Sequence, residues 1–238
     1  MPPRHLNFVG HGDFVAIGDE FLRYFVELGG LTPEAKVLEI GSGIGRMARP
    51  LTSYLTSGTY DGIDIVSKGI NWCKRNITGR LPNFRFHLAD IHNRAYNPGG
   101  HLKALEYRFP FADNTFDFVA LTSVFSHMLT AEMEHYLRET TTCLRDGGTA
   151  LMTFFLLNDE SRTLIEKGLS PLTFKFSRDG CQVNDDMVPE YAVAYDEGTI
   201  RQLCRQTGLA IESLTYGAWC GRPAYLSYQD ILVVRKVL

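Results

Sequence analysis

Val37-Leu38-Glu39-Ile40-Gly41-Ser42-Gly43-Ile44-Gly45 is a short apolar run that meets three alternating glycines and then a stretch with helical spacing. Lys36 to Ile40 has the length and character of a buried strand. Glycines directly after a strand permit a tight turn and a close approach of backbone to a ligand, and the helix that follows offers its N-terminus to a polar group. Dinucleotide-binding chains usually carry G-x-G-x-x-G. Here the third glycine comes one residue early, and Arg46 follows it.

Working outward, short apolar runs alternate with helical patterns, the signature of βαβ units and a mainly parallel sheet. The spacing predicts a helix over Ile44 to Leu55, a strand over Thr59 to Ile63, a helix over Ser67 to Ile77 and a strand over Phe84 to Leu88. Phe116 to Leu121 and Thr149 to Phe155 read as further strands, separated by a helix from Thr130 to Leu144 that Thr130 is expected to cap. Upstream, Phe14, Ile17, Phe21, Leu22, Phe25 and Leu28 mark an amphipathic helix ending at Gly29-Gly30. The connection from Ile91 to Asn114, rich in Asn, Pro and Gly, is long enough to be functional. Beyond Phe155 the alternation breaks. A short helix over Ser161 to Gly168 precedes a stretch from Ser170 to Pro189 with no period, which reads as a loop or lid, and Glu197 to Gly208 resumes as a helix before strands at Ala210 to Tyr216 and Asp230 to Lys236. One domain over residues 1–238 is the expectation, divided into an N-terminal helical lid (1–33), a cofactor-binding core (34–155), a lid insertion (156–196) and a C-terminal helix with strands (197–238).

Composition is that of an ordinary folded protein: 45% hydrophobic and 21% charged residues, with a net charge of -3. Such a balance gives no global positive field for nucleic acid. The five cysteines, Cys73, Cys143, Cys181, Cys204 and Cys220, are far apart and form no C-x-x-C pair. No apolar run approaches the ~20 residues of a membrane span and no signal-peptide pattern opens the chain. The expectation is a cytoplasmic protein with reduced thiols, no nucleic-acid or membrane partner and no metal, and a homodimer is compatible with it.

Three further stretches turn the glycine loop toward a particular cofactor. Asp64 closes the second strand 19 residues after Gly45, His87-Leu88-Ala89-Asp90-Ile91 follows the third strand, and Phe109 to Val119 leads into the fourth. In open α/β sheets ligands bind at the carboxyl ends of the strands, where Glu39, Asp64 and Asp90 all fall. Glu39-x-Gly41-x-Gly43-x-Gly45, Asp64, Asp90 and the Pro110-Phe111-Ala112-Asp113-Asn114-Thr115-Phe116-Asp117 entry together resemble the class I S-adenosylmethionine methyltransferases. The resemblance covers about Glu34 to Phe155. It implies a Rossmann-like α/β fold, with a mostly parallel seven-stranded sheet flanked by helices, and S-adenosyl-L-methionine as methyl donor, released as S-adenosyl-L-homocysteine. The implied cofactor residues are Glu39, Gly41, Ser42, Gly43, Gly45, Arg46 and Thr122, with Asp64 on the ribose hydroxyls, Asp90 at the adenine amine, and Ile65 and Ile91 on either side of the ring. Read without the resemblance, Asp64 would cap the helix beginning near Ser67 and Asp90 would be a loop carboxylate.

Methyl transfer is an in-line displacement, so positioning is the main lever and a general base the second. His127, just beyond the fourth strand, is the preferred base; a structural role is the other reading. His11 and Asp13 ahead of the first helix would close over the acceptor, Tyr96 would line it, and Trp219 would stack on a sugar or flat ring or else anchor its loop from within. The [D/N]-P-P-[Y/F/W] tetrapeptide of the amino-methylating enzymes is missing, since Leu121-Thr122-Ser123-Val124 occupies its place, and no cysteine has the setting used for carbon-5 methylation of pyrimidines. O-methylation of a small molecule is therefore favoured. Length and the Arg46 to Pro50 and Ser123 to Met128 stretches resemble small bacterial enzymes that methylate sugar hydroxyls, which points to a saccharide acceptor. The alternatives are an N-methyltransferase of a small molecule, a protein that binds the cofactor without turnover, and an NAD-dependent oxidoreductase.

Overall fold

The computed structural model describes residues 1–3, 6, 8, 10 and 12–237. Its main sheet has seven strands in the order β10-β11-β5-β4-β1-β2-β3. They are β1 (Lys36–Ile40), β2 (Thr59–Asp64), β3 (Phe84–Leu88), β4 (Phe116–Leu121), β5 (Leu144–Phe154), β10 (Leu209–Thr215) and β11 (Asp230–Lys236). β11 runs antiparallel to both its neighbours, and the pairings from β5 across to β3 are parallel. This is the Rossmann-like architecture expected. Among the described residues the α-helices are α1 (Phe14–Glu27), α2 (Ala48–Tyr54), α3 (Ser67–Cys73), α4 (Thr130–Cys143), α5 (Asp159–Glu166) and α6 (Glu197–Gln206).

Because successive strand residues point to opposite faces, the sheet carries a core on each side. Leu38, Val119, Ala150 and Leu232 belong to one, with Met133 and Leu137 of α4 and Ile200 of α6. Val37, Phe118, Leu151 and Val233 belong to the other, with Phe21 and Phe25 of α1 and Ala48 and Leu51 of α2. Strands buried on both faces read as continuous apolar runs, which is why β1 and β4 fall where the sequence places them, while β3, at the edge of the sheet, shows the alternation of a half-buried strand.

Differences arise where local chemistry is subtler. The helix after the glycine loop begins at Ala48 rather than Ile44, and α3 passes into a π-helical turn over Lys74–Thr78. Thr130 is not the cap of α4. The Leu129 N–H instead donates to the Glu132 carboxylate. The patternless insertion contains strands: β7 (Phe176–Arg178) and β8 (Cys181–Val183) join β6 (Leu156–Leu157) and β9 (Val193–Asp196) in a second sheet of order β6-β9-β8-β7. Strands of two to four residues are too short to show a period in sequence. No described helix is long and apolar enough to cross a membrane.

Candidate active site

The strand order places β1 between β2 and β4, and the crevice at their carboxyl ends is where such a sheet receives a ligand. Beyond Ile40 the chain turns through Gly41, Gly43 and Gly45 at φ of 78°, 56° and 77°, a region that side chains rarely adopt. Space forbids a side chain at Gly41 as well, since a Cβ there would lie 2.5 Å from Val124 Cγ2. The loop is fastened to the end of β2. Gly41 and Ser42 N–H both donate to the Ile63 carbonyl, at 2.8 and 2.9 Å, and Gly43 N–H donates to Asp64 Oδ2 at 2.7 Å. Val66 N–H takes the other Asp64 oxygen, also at 2.7 Å.

Glu39 is buried on β1 and accepts a hydrogen bond from the Tyr60 hydroxyl. Burial pushes its carboxyl up to about 8, helped by the nearby Asp64 and opposed by the Tyr60 hydrogen bond and the Arg46 charge. Burial raises Asp64 as well, against the backbone N–H groups it accepts, and burial lowers Arg46, which Glu39 counteracts. The Ser42 hydroxyl is buried and has no hydrogen-bond partner among the described residues.

These groups line one cavity of about 390 Å³, and a second constellation lines it too. His127 Nδ1–H donates to the Glu190 carbonyl at 2.8 Å, which fixes the neutral tautomer with Nε2 unprotonated. Burial lowers the pKa of His127, opposed by its backbone hydrogen bonds. The Tyr96 hydroxyl lies 3.4 Å from Nε2 and its ring meets the imidazole edge-on. Tyr96 is brought there by Asn93, whose side-chain oxygen accepts from the Ala95 and Tyr96 N–H groups and turns the chain back.

The structure thus gathers Glu39, Gly41, Ser42, Gly43, Arg46, Asp64, Ile65, Ile91, Tyr96, Thr122 and His127 around one space. Gly45 shapes the turn from behind. Asp90 is turned away: its half-exposed carboxylate pairs with His101 Nδ1 at 2.7 Å. Asp13 does not line the cavity; it is the N-cap of α1, accepting from the Val15 and Ala16 N–H groups. His11 lies outside the described residues, although Phe8 and Gly10 beside it reach the cavity. Trp219 offers no surface for stacking on a ligand. It is completely buried with Phe155 and Phe174 in a separate core, and its Nε1–H donates to Asp230 Oδ2 at 2.7 Å. Glu132, Tyr136 and Glu190 line the cavity without having been singled out from sequence. Glu132 looks like an ordinary first-turn helix acid, and Glu190 adjoins the patternless insertion.

Residues 11–214 match the profile of a family described as a methyltransferase domain. The chain belongs to this methyltransferase family. Over 143 residues it is 32% identical to a fatty-acid O-methyltransferase of Mycolicibacterium smegmatis, a match that takes in 57% of this chain and 44% of that protein. The chain therefore spans less than half of that relative's length. Among solved structures, a SAM-dependent methyltransferase from Methanosarcina mazei superposes with a TM-score of 0.59 at 18% identity, covering 87% of this chain and 95% of that one. The 1,6-didemethyltoxoflavin-N1-methyltransferase of Burkholderia thailandensis, solved with bound 1,6-didemethyltoxoflavin and S-adenosylhomocysteine, gives a TM-score of 0.60 at 14% identity over 95% and 80% of the two chains. Likeness at these identities is likeness of fold.

The cofactor of this methyltransferase is S-adenosyl-L-methionine, and the donor set around the cavity fits it. Glu39 and Asp64 supply carboxyl oxygens for hydroxyl or ammonium donors, Arg46 offers a guanidinium to acceptor groups, and Ile65 and Ile91 are apolar walls for a flat ring.

Proposed function

We propose that this methyltransferase transfers the methyl group of S-adenosyl-L-methionine to a hydroxyl of a small molecule, with His127 as general base. The observation that carries this reading is the orientation of His127. Its Nδ1–H is committed to the Glu190 carbonyl, so the basic Nε2 is left to the cavity that the glycine loop also lines.

In this reading the Gly41 to Gly43 backbone, Glu39, Ser42, Arg46 and Thr122 hold the amino-acid part of the cofactor, Asp64 the ribose, and Ile65 and Ile91 the ring. When bound, the cofactor supplies an electrophilic methyl carbon on a positively charged sulfur, which keeps the electron pair of the broken bond. His127 Nε2 takes the proton of the acceptor hydroxyl as that oxygen bonds to carbon. A positioned base of this kind contributes about 10² to 10⁴ in rate. Tyr96 packs edge-on against the imidazole, with its hydroxyl 3.4 Å from Nε2.

A saccharide acceptor is retained within the proposal. Arg46 and Met47 of the first stretch that suggested it, and Ser123, Val124, His127 and Met128 of the second, all line the cavity. A radiolabelled-methyl transfer screen across sugars, alcohols, amines and fatty acids tests the reading. Label in an alkali-stable methyl ether is expected, and label on nitrogen alone would overturn it.

A further inference from the structure

Among the described residues other than glycine, Asn114, Ser123, Phe174 and Asp179 take φ between 43° and 57°, and of these Ser123 lines the cavity. A side chain in this region crowds the backbone, so the conformation persists where the surroundings impose it. Ser123 follows β4 and joins the two halves of the cavity. Thr122 before it lines the cavity together with the glycine loop. Val124 after it packs on Gly41, with Cγ2 in the space that a Cβ there would need. The Val124 carbonyl accepts the His127 N–H at 2.9 Å and so closes the turn Phe125–His127 that carries the base. A change of φ at Ser123 would move Val124 and His127 together relative to Thr122.

Three hydrogen bonds close a ring on Ser123. Its N–H donates to Thr153 Oγ1 at 2.8 Å, the Thr153 hydroxyl donates to Gln229 Oε1 at 2.7 Å, and the Ser123 hydroxyl donates to the same oxygen at 2.8 Å. Two hydroxyl donors require the Gln229 amide to present its oxygen. Thr153 is completely buried on β5, and Gln229, the residue before β11, is buried as well. Gln229 does not line the cavity. Its own place is fixed by the sheet, since Ile231 pairs with Thr153 and Asp230 accepts the Leu156 and Gly217 N–H groups at 2.8 and 2.7 Å.

We propose that Gln229 is a positioning residue for methyl transfer. Its amide oxygen, with Thr153, holds Ser123 in the left-handed conformation that sets Val124 against the glycine loop and His127 at the acceptor. The inference rests on the functional reading above for the role of His127. Without the tether, a left-handed residue with a side chain is disfavoured about five- to thirtyfold. Cofactor affinity then falls with the fraction of molecules that keep the competent path. Glycine takes this conformation without the penalty.

The test is calorimetric titration of S-adenosylhomocysteine into folded variants, with thermal melting as the check on folding. Gln229→Leu, which keeps bulk and loses the oxygen, should bind about five- to thirtyfold more weakly than the wild type. Adding Ser123→Gly to that variant should restore affinity to within about threefold of the wild type. A merely structural contact would respond in the opposite way, a second lesion adding to the first. Ser123→Ala, which keeps the Cβ and loses the hydroxyl, should bind at least about threefold more weakly than Ser123→Gly, which loses both. This pair decides alone if Gln229→Leu does not fold. Turnover with the acceptor that the screen yields should follow the order of the affinities.

Unchanged affinity or turnover in folded Gln229→Leu overturns the inference. So does a loss that Ser123→Gly does not restore, or equal binding by the Ala and Gly variants, for the backbone at Ser123 would then not be what Gln229 controls. Failure of the wild type to bind S-adenosylhomocysteine, or label on nitrogen alone in the screen, would instead sink the functional reading.

Discussion

The two halves of the cavity are built in different ways. The glycine-loop half is backbone: β1, a turn forced through three left-handed glycines, and Asp64 tying that turn to β2 by accepting the Gly43 N–H at 2.7 Å. The half around His127 is side chains gathered from Tyr96, the start of α4 and Glu190, segments far apart in sequence. A backbone site repeats wherever the same fold binds the same cofactor, whereas a side-chain site can change acceptor without disturbing the sheet.

The contrast is broken most sharply at His127. Replacement by Ala should lower turnover by about 10² to 10⁴ while S-adenosylhomocysteine affinity, measured by calorimetry, stays near the wild-type value. Full activity would remove His127 from the reaction. The pH profile should agree. Because burial holds the imidazole below its ordinary 6.5, the base is neutral through neutral pH, so turnover should be flat there and fall only as pH drops below that value.

Trp219 sharpens the comparison from outside the cavity. Trp219→Phe removes the Nε1–H donor to Asp230 and should cost about 1–3 kcal/mol in denaturant unfolding, with methyl transfer unchanged in the folded protein. Asp230 keeps the Leu156 and Gly217 N–H groups and Arg222, so the loss should not be larger. Lowered cofactor affinity would mean that the third core supports the site.

Asp90→Ala should have the smallest effect. Its carboxylate pairs with His101 at an exposed position, and surface pairs contribute about 0–1 kcal/mol. Cofactor affinity is expected to change by less than about threefold, and a large loss would mean that Asp90 swings inward when the ring is bound.

What could be read in sequence follows the same division. β1, β4 and β11 end where the pattern places them, because strands covered on both faces are continuous apolar runs, and β3 does so through its alternation of buried and exposed residues. Three glycines after a strand announce their φ angles, and Asp64 is legible as the acid closing β2. Trp219 admits two readings in sequence, since an aromatic in a glycine-bearing loop is the same letter whether it faces a ligand or, as here, Phe155 and Phe174. The second sheet and Glu190 are not legible in sequence because β6 to β9 are too short for periodicity and Glu190 owes its place to tertiary docking against His127.

The central claim is that the glycine loop and Asp64 hold the cofactor. Calorimetric titration of S-adenosylhomocysteine into the wild type and Asp64→Ala tests it most directly. The wild type should bind one equivalent, and the variant should lose about tenfold to a hundredfold in affinity as paired hydrogen bonds to a buried carboxylate disappear. Equal affinity in the two proteins, or binding in neither, would contradict the account.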